Sequence, residues 1–318
     1  MTVNKLKVKK AIGTTLIYIF RYAFFISVSY IILYPFLYIL INAIKSFSDA
    51  HDVTVTWVPK TVYFGNLRDA LLVFDVKNTA MRSFVYEVVA GLIQFCSCSV
   101  AAYGLARFKL KGRGLLFGMM ILNILVPSMM IITPSFVNFS HLDIFGILGG
   151  ISKLIGVDIR PNLIGTPLVF YLPALLGVGI KGGLFIYIYM QFFKGLPKEL
   201  EEAAWIDGAG AWKTFLRIVV PSSGSATITV LLFSVVWHWN DYYLAQMYMN
   251  EQTFPVAVNN FSYLSVISAL GLKLEEANAL SVPILLAGCF LLVLPMIIFY
   301  VIVQRKFMAS IATSGIVG

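Results

Sequence analysis

The sequence predicts an all-α polytopic membrane protein with six transmembrane helices and both termini on the cytoplasmic side. Three observations carry this. The 318-residue chain is 59% hydrophobic and only 12% charged, whereas soluble domains carry about 25% charge. Its apolar residues gather into runs long enough to cross a bilayer, for which about 20 residues suffice. Its cations, which leave a net charge of +9, concentrate in loops that alternate along the chain, as cytoplasmic loops do. Lipid and topology account for that charge, so no nucleic-acid partner is implied.

The start, MTVNKLKVKKAIG, is basic and leads into a long apolar stretch. A secretory leader is rejected: the stretch is too long for its apolar core, contains Arg21, and has no small-x-small cleavage site. Residues 14–21 read as an interfacial approach and 22–44 as the first span, with the lysines holding the N-terminus in the cytoplasm. Residues 45–81 form a polar extracytoplasmic loop containing Pro59 and Gly65, and the alternation over 53–58 suggests one small strand there. The core begins at residue 82. Its first span, 82–106, ends at Arg107, Lys109, Lys111 and Arg113, the clearest cytoplasmic loop. The next, 115–137, contains Pro127 and Pro134, which predict a kink or a broken outer end, and Gly114 and Gly118 form a small-xxx-small pair. The fourth, 166–193, reads as one long tilted span despite Pro167, Pro173 and glycines 177, 179, 182 and 183. The fifth is 222–243 and the sixth 282–303, stopped by Arg305 and Lys306. The core thus runs over 82–305 and a short cytoplasmic tail over 306–318.

Between the fourth and fifth spans lies KELEEAAWIDGAGAWKTFLRIVVP, residues 198–221. It reads as two short helices joined by a glycine turn. Pro197 suits a first helical position, and Glu199, Glu201 and Glu202 meet the positive end of a helix dipole. Gly208 and Gly210 break that helix, and Trp212, Phe215, Leu216 and Val219 give a second amphipathic run ending at Pro221. An ordinary charged loop accounts for the charges but not for the spacing of Glu202, Ala203, Ala204, Asp207, Gly208, Ile218 and Pro221.

That spacing resembles the EAA loop of binding-protein-dependent ABC importer permeases, with Val220 where the family usually has Leu. The resemblance implies the transmembrane domain of a type I ABC importer, with the loop docking on a separate ATPase. It further implies a second, similar permease subunit, two ATPase subunits and an extracytoplasmic binding protein, in a bacterial or archaeal cytoplasmic membrane. No cofactor is expected in this chain, which has no G-x-x-x-x-G-K-[ST] phosphate loop. ATP and Mg would be bound by the ATPase partners.

No H-E-x-x-H, G-x-S-x-G or clustered His and Cys set occurs, which argues against an enzyme or a metal site. His51, His141 and His238 are dispersed, and Cys96, Cys98 and Cys289 lie in apolar runs as buried packing residues. Two ionisable groups fall inside spans, Glu87 and Lys181, where a charge costs roughly 2.5–3.5 kcal/mol on insertion scales. Lys181 either lines the translocation path or is snorkelling or internally paired; the latter reading suits Glu87, nearer the outer end. Trp239, Asn240 and Asp241, with Trp237, Tyr242 and Tyr243, suit a sugar path or an interfacial aromatic belt. The W-x-W-N-D order and the ending TSGIVG resemble the permeases of maltose-type sugar importers, which implies an oligosaccharide as solute. Two other readings stand beside it: a permease for a polyamine or other small polar solute, and a carrier or channel that works without ATP.

Overall fold

The structure, a computed structural model, describes residues 2–314, with side chains described for 13–50 and 52–308. The end of the tail, 315–318, the side chain of His51 and those of the N-terminal lysines lie outside the described residues. The helices are α1 (Thr2–Ala43), α2 (Phe47–His51), α3 (Gly65–Val73), α4 (Val76–Arg107), α5 (Arg113–Leu125) and α6 (Ser128–Ser140). There follow α7 (Ile147–Ile155), α8 (Leu168–Leu175), α9 (Gly182–Gly195), α10 (Glu199–Ile206), α11 (Ala211–Ser222) and α12 (Gly224–Trp239). The chain finishes with α13 (Tyr243–Tyr248), α14 (Phe254–Asn259), α15 (Tyr263–Leu270) and α16 (Leu274–Ser314). No β-strand occurs among the described residues.

Of these, Gly13–Ala43 in α1, all of α4 and Leu274–Met308 in α16 are single helices long and apolar enough to cross a membrane. Two helix pairs reach that length and apolarity only together and are bent, as a broken span or a re-entrant loop is: α5 and α6 meet at 107°, and α11 and α12 at 84°. The first break sits at Val126 and Pro127, where proline excludes the helical conformation of the residue before it. The first and last helices run well beyond the expected 22–44 and 282–303, because nothing in either flank stops a helix.

Two compact units are formed, Met1–Val73 with Ser262–Leu291, and Phe74–Phe261 with Leu292–Gly318. In the first, a polar loop folds back on the end of α1. Asn66 is buried and donates to the carbonyls of Ala43 (3.1 Å) and Lys45 (2.8 Å). Lys45, also buried, reaches the Val55 carbonyl at 2.8 Å. Trp57 packs on Tyr34, ring centroids 5.2 Å apart. Hydrogen bonds from Lys60 and Thr54 hold the Asp52 carboxyl below its ordinary range. These contacts explain why the expected strand over 53–58 is not formed: the backbone there is tied to side chains, and the nearest ladder is an isolated bridge from Lys45 to Val62.

In the second unit α4 packs along α9. Cys98, Ala102 and Tyr103 of α4 and Phe185, Tyr189, Met190 and Phe193 of α9 are buried together with Phe215 and Val219. Cys98 is buried as expected, Cys289 is half-buried, and Cys96, two residues away on the opposite face, is exposed, which corrects its reading as a packing residue.

The largest departure from expectation lies in the stretch read as the fourth span, which is two helices. From Leu176 to Lys181 the chain leaves the helix, with Gly177 at φ +73° and Lys181 at φ +57°. Backbone groups freed from a helix in an apolar interior need partners, and α4 and α5 supply them. Gln94 donates to the Ile180 carbonyl at 2.7 Å, Ser97 donates to Ala174 O, and Asn123 Oδ1 accepts from the Gly183 amide at 2.8 Å.

The start of α9 tolerates no side chain. A Cβ on Gly183 would lie 2.7 Å from the Met120 carbonyl oxygen, whereas one on Gly195 would meet nothing within 4 Å. We expect Gly183→Ala to destabilise the protein by about 1–3 kcal/mol through overpacking, read as a lower Tm in detergent. Gly195→Ala should leave Tm unchanged, and equal behaviour of the two would contradict this packing.

Candidate functional site

The break between α8 and α9 opens onto a cavity of about 290 Å³. Its wall comes from both halves of the broken α5–α6 span, from the α8–α9 connection and from the end of α12. Lys181 lines it, held in the left-handed conformation that few side chains adopt. The lysine is exposed, and its ammonium meets no carboxylate among the described residues. No Asp or Glu lines the cavity; its polar groups are Asn123, Ser128, Ser135, His238 and Tyr248. Asn123 has its oxygen occupied by Gly183, which leaves its amide hydrogens to donate. His238 donates through Nδ1 to the Ser234 carbonyl at 2.8 Å, since a carbonyl can only accept. Trp237 presents a rigid aromatic surface because it stacks against Phe185 and Phe233, with centroids 5.6 and 5.3 Å apart.

The remaining residues singled out from the sequence do not join this wall. Trp239 is buried on another side of α12 and donates through Nε1 to the Leu292 carbonyl at 3.0 Å. Asn240 is exposed and bonds back to the Val236 carbonyl, and Asp241 accepts from the amides of Leu244 and Ala245. Both therefore finish helix ends. Glu87 is fully buried in a single turn of π-helix, Phe84–Val88, and neither carboxyl oxygen has a hydrogen-bond partner among the described residues. The residues that sequence reading passed over, Asn123 and Trp237's stacking partners among them, sit on three separate elements. Only the interruption of α8–α9 brings them together.

The loop after α9 folds as two short helices about a turn with Gly208 at φ +78°. Glu202, Ala203, Asp207 and Gly208 are exposed on it, as are Trp205, Trp212 and, at 87%, Ile206. Ala204 turns inward and is buried, Ile218 is half-buried and Pro221 is exposed. The neighbouring Glu201 is buried and forms an ion pair with Arg107, Oε1 to Nε 2.6 Å, with side chains 5% and 7% exposed. Tyr103 donates to the other carboxyl oxygen at 3.3 Å, and Arg107 Nη2 donates to the Leu196 carbonyl at 2.7 Å. Arg107 thus leaves the cationic loop to which the sequence assigned it. Its partner is 94 positions away in the sequence, and no local pattern announces the pairing.

Comparison with known proteins agrees with this architecture. A family model described as "Binding-protein-dependent transport system inner membrane component" matches residues 98–309. The chain is similar to the trehalose transport system permease protein SugB of Mycobacterium tuberculosis, 28% identical over 90% of this chain and 93% of that one. It is also similar to the melibiose/raffinose/stachyose import permease protein MelC of Bacillus subtilis, 26% identical over 89% and 91%. Among solved structures, a chain of a bacterial ABC transporter involved in the import of the acidic polysaccharide alginate superposes with a TM-score of 0.66, at 21% identity over 91% of this chain and 95% of that one. Fold, membrane-length helices and sequence match converge: the chain belongs to the binding-protein-dependent transport system inner membrane components and is an integral membrane permease subunit rather than an enzyme.

Proposed function

We propose that this chain is one of two permease subunits of an ATP-driven sugar importer, supplies half of the translocation path, and docks through residues 198–221 on a separate ATPase. The observation that carries the reading is the loop. It holds exposed apolar side chains, Ile206, Trp205 and Trp212, on a turn fastened to the membrane helices by a buried ion pair. An exposed apolar patch of this kind is a contact surface. Two similar relatives are named for saccharide transport, trehalose for one and melibiose, raffinose and stachyose for the other, which supports a sugar and favours an oligosaccharide.

In this reading six spans place both ends in the cytoplasm, with α8 and α9 together making the fourth. A second, similar permease, two ATPase subunits that bind ATP and Mg, and an extracytoplasmic binding protein complete the importer in the cytoplasmic membrane. The path runs by the cavity at Lys181. From there α9 descends as one 14-residue helix, about 21 Å at 1.5 Å per residue, to the loop. Movement of the loop on nucleotide binding would therefore reach the cavity through a rigid element. The unpaired ammonium in the cavity argues against a polyamine, which it would repel.

The first test is to tag the chain, extract it from its own membrane in mild detergent and identify what accompanies it. Recovery of an ATPase and a second permease is expected; repeated recovery of the chain alone would favour a self-sufficient carrier or channel. At the turn, Gly208→Val imposes a left-handed conformation worth roughly 1–2 kcal/mol of strain, while Asn tolerates it. We expect Gly208→Val to insert normally but to hydrolyse ATP with little sugar uptake, and Gly208→Asn to stay coupled. Undiminished uptake per ATP in Gly208→Val would count against docking through this turn. Reversing either partner of the buried pair, Arg107→Glu or Glu201→Arg, should cost about 3–5 kcal/mol. The double reversal should recover part of both Tm and uptake, less than all because Leu196 loses its donor.

A further inference from the structure

We infer that the solute passing the Lys181 cavity is an acidic saccharide, one whose sugar rings carry carboxylates. This rests on the sugar-import reading and adds the charge of the solute to it. Several features of the wall point the same way. The charged residue lining the cavity is a lysine with no carboxylate counter-ion, and no Asp or Glu shares the wall with it. A cation at membrane depth usually pairs or faces a cavity, and here the cavity holds no fixed anion to satisfy it. Asn123 adds donors of the same polarity, since its oxygen is already taken by the Gly183 amide. Two buried carboxylates, Asp241 just after α12 and Glu87 on α4, are not among the lining residues: Asp241 accepts from two backbone amides, and Glu87 is enclosed in the interior.

The rest of the wall suits a sugar ring. Trp237 lines the wall as an apolar ring held in place by its two stacking partners, and Ser128 and Ser135 offer hydroxyls that both donate and accept. At about 290 Å³ the cavity lies at the small end of ligand pockets, which span about 300–1,000 Å³. This half of the path therefore faces a short part of a chain, with one charge opposite one lysine. A single ammonium with an amide donor matches a carboxylate. A phosphate dianion, with more oxygens to satisfy, calls for the bidentate fork of arginine or several donors, and no arginine lines the cavity.

The experiment uses the complete importer, copurified with its own partners and reconstituted in ATP-loaded proteoliposomes. Uptake is compared for three radiolabelled probes, trigalacturonate, maltotriose and a maltose phosphate, in the wild type, Lys181→Asn and Lys181→Arg. Asn keeps the left-handed backbone and removes the charge; Arg keeps the charge. The expected result is uptake of trigalacturonate above the other two. It should fall by about tenfold or more in Lys181→Asn, as loss of one charged hydrogen bond implies, and be largely kept in Lys181→Arg. Preferred uptake of maltotriose by the wild type would overturn the acidic assignment and leave sugar import standing. Preference for the phosphate would overturn the carboxylate, as would trigalacturonate uptake unchanged in Lys181→Asn. Uptake of no saccharide by complexes that hydrolyse ATP would remove the sugar-import reading and this inference with it. The wild-type comparison decides between these outcomes even if a variant fails to assemble.

Discussion

The requirement that no backbone polar group in an apolar interior be left unpaired governs this structure more than any other constraint. Two apolar stretches are interrupted in ways that release amides and carbonyls, at Pro127 and between Leu176 and Lys181. An interruption is tolerable only where neighbouring helices carry the right polar side chains. Gln94 and Ser97 lie one turn apart on α4 and reach carbonyls in the α8–α9 connection and at the end of α8, while Asn123 reaches the first turn of α9 from α5. The close approach that lets them reach depends in turn on glycine at 182 and 183, where any side chain would meet backbone. The break, its polar supports and the glycines beside it form one arrangement, and the cavity is what that arrangement leaves open.

Much of the fold was legible because apolar runs of membrane length leave few alternatives to helices. Proline at 127 announced its break, since a proline restricts the residue before it as well as itself. The glycine turn in the loop was legible for a similar reason: at φ +78° few residues other than glycine sit without strain. Other features were hidden. The fourth stretch looks continuous because hydropathy is blind to backbone conformation, and nothing in the residues around Lys181 reveals that a glutamine on another helix will take up a freed carbonyl. The 53–58 alternation looked like a strand but had no partner strand to pair with, so its backbone found side chains instead.

The candidate site was legible only in part, and the reason is geometric. Lys181 stood out because an unpaired charge in an apolar stretch is costly wherever it sits. Trp239, Asn240 and Asp241 stood out as a cluster in sequence, yet successive residues on a helix face different directions. The member of that cluster that lines the cavity is Trp237, with His238 beside it. Adjacency in sequence therefore indicated the right end of the right helix but not which of its faces meets the cavity. Arg107 was read as one of four loop cations, and only the folded chain reveals its pairing with Glu201.

The loop's attachment has a mechanical consequence. Its first arm is held to α4 by Glu201 and Arg107, and its second by Phe215, whose ring lies 5.0 Å from that of Tyr103 and 6.4 Å from that of Phe193. A strut pinned at one point swivels and passes on only a push. Pinned at two points on separate arms, it behaves as a bracket and transmits torque. A partner gripping the exposed turn would twist α4 and α9 together rather than tug on one of them, so the second half of the α8–α9 break and a helix that supports it would turn as a pair.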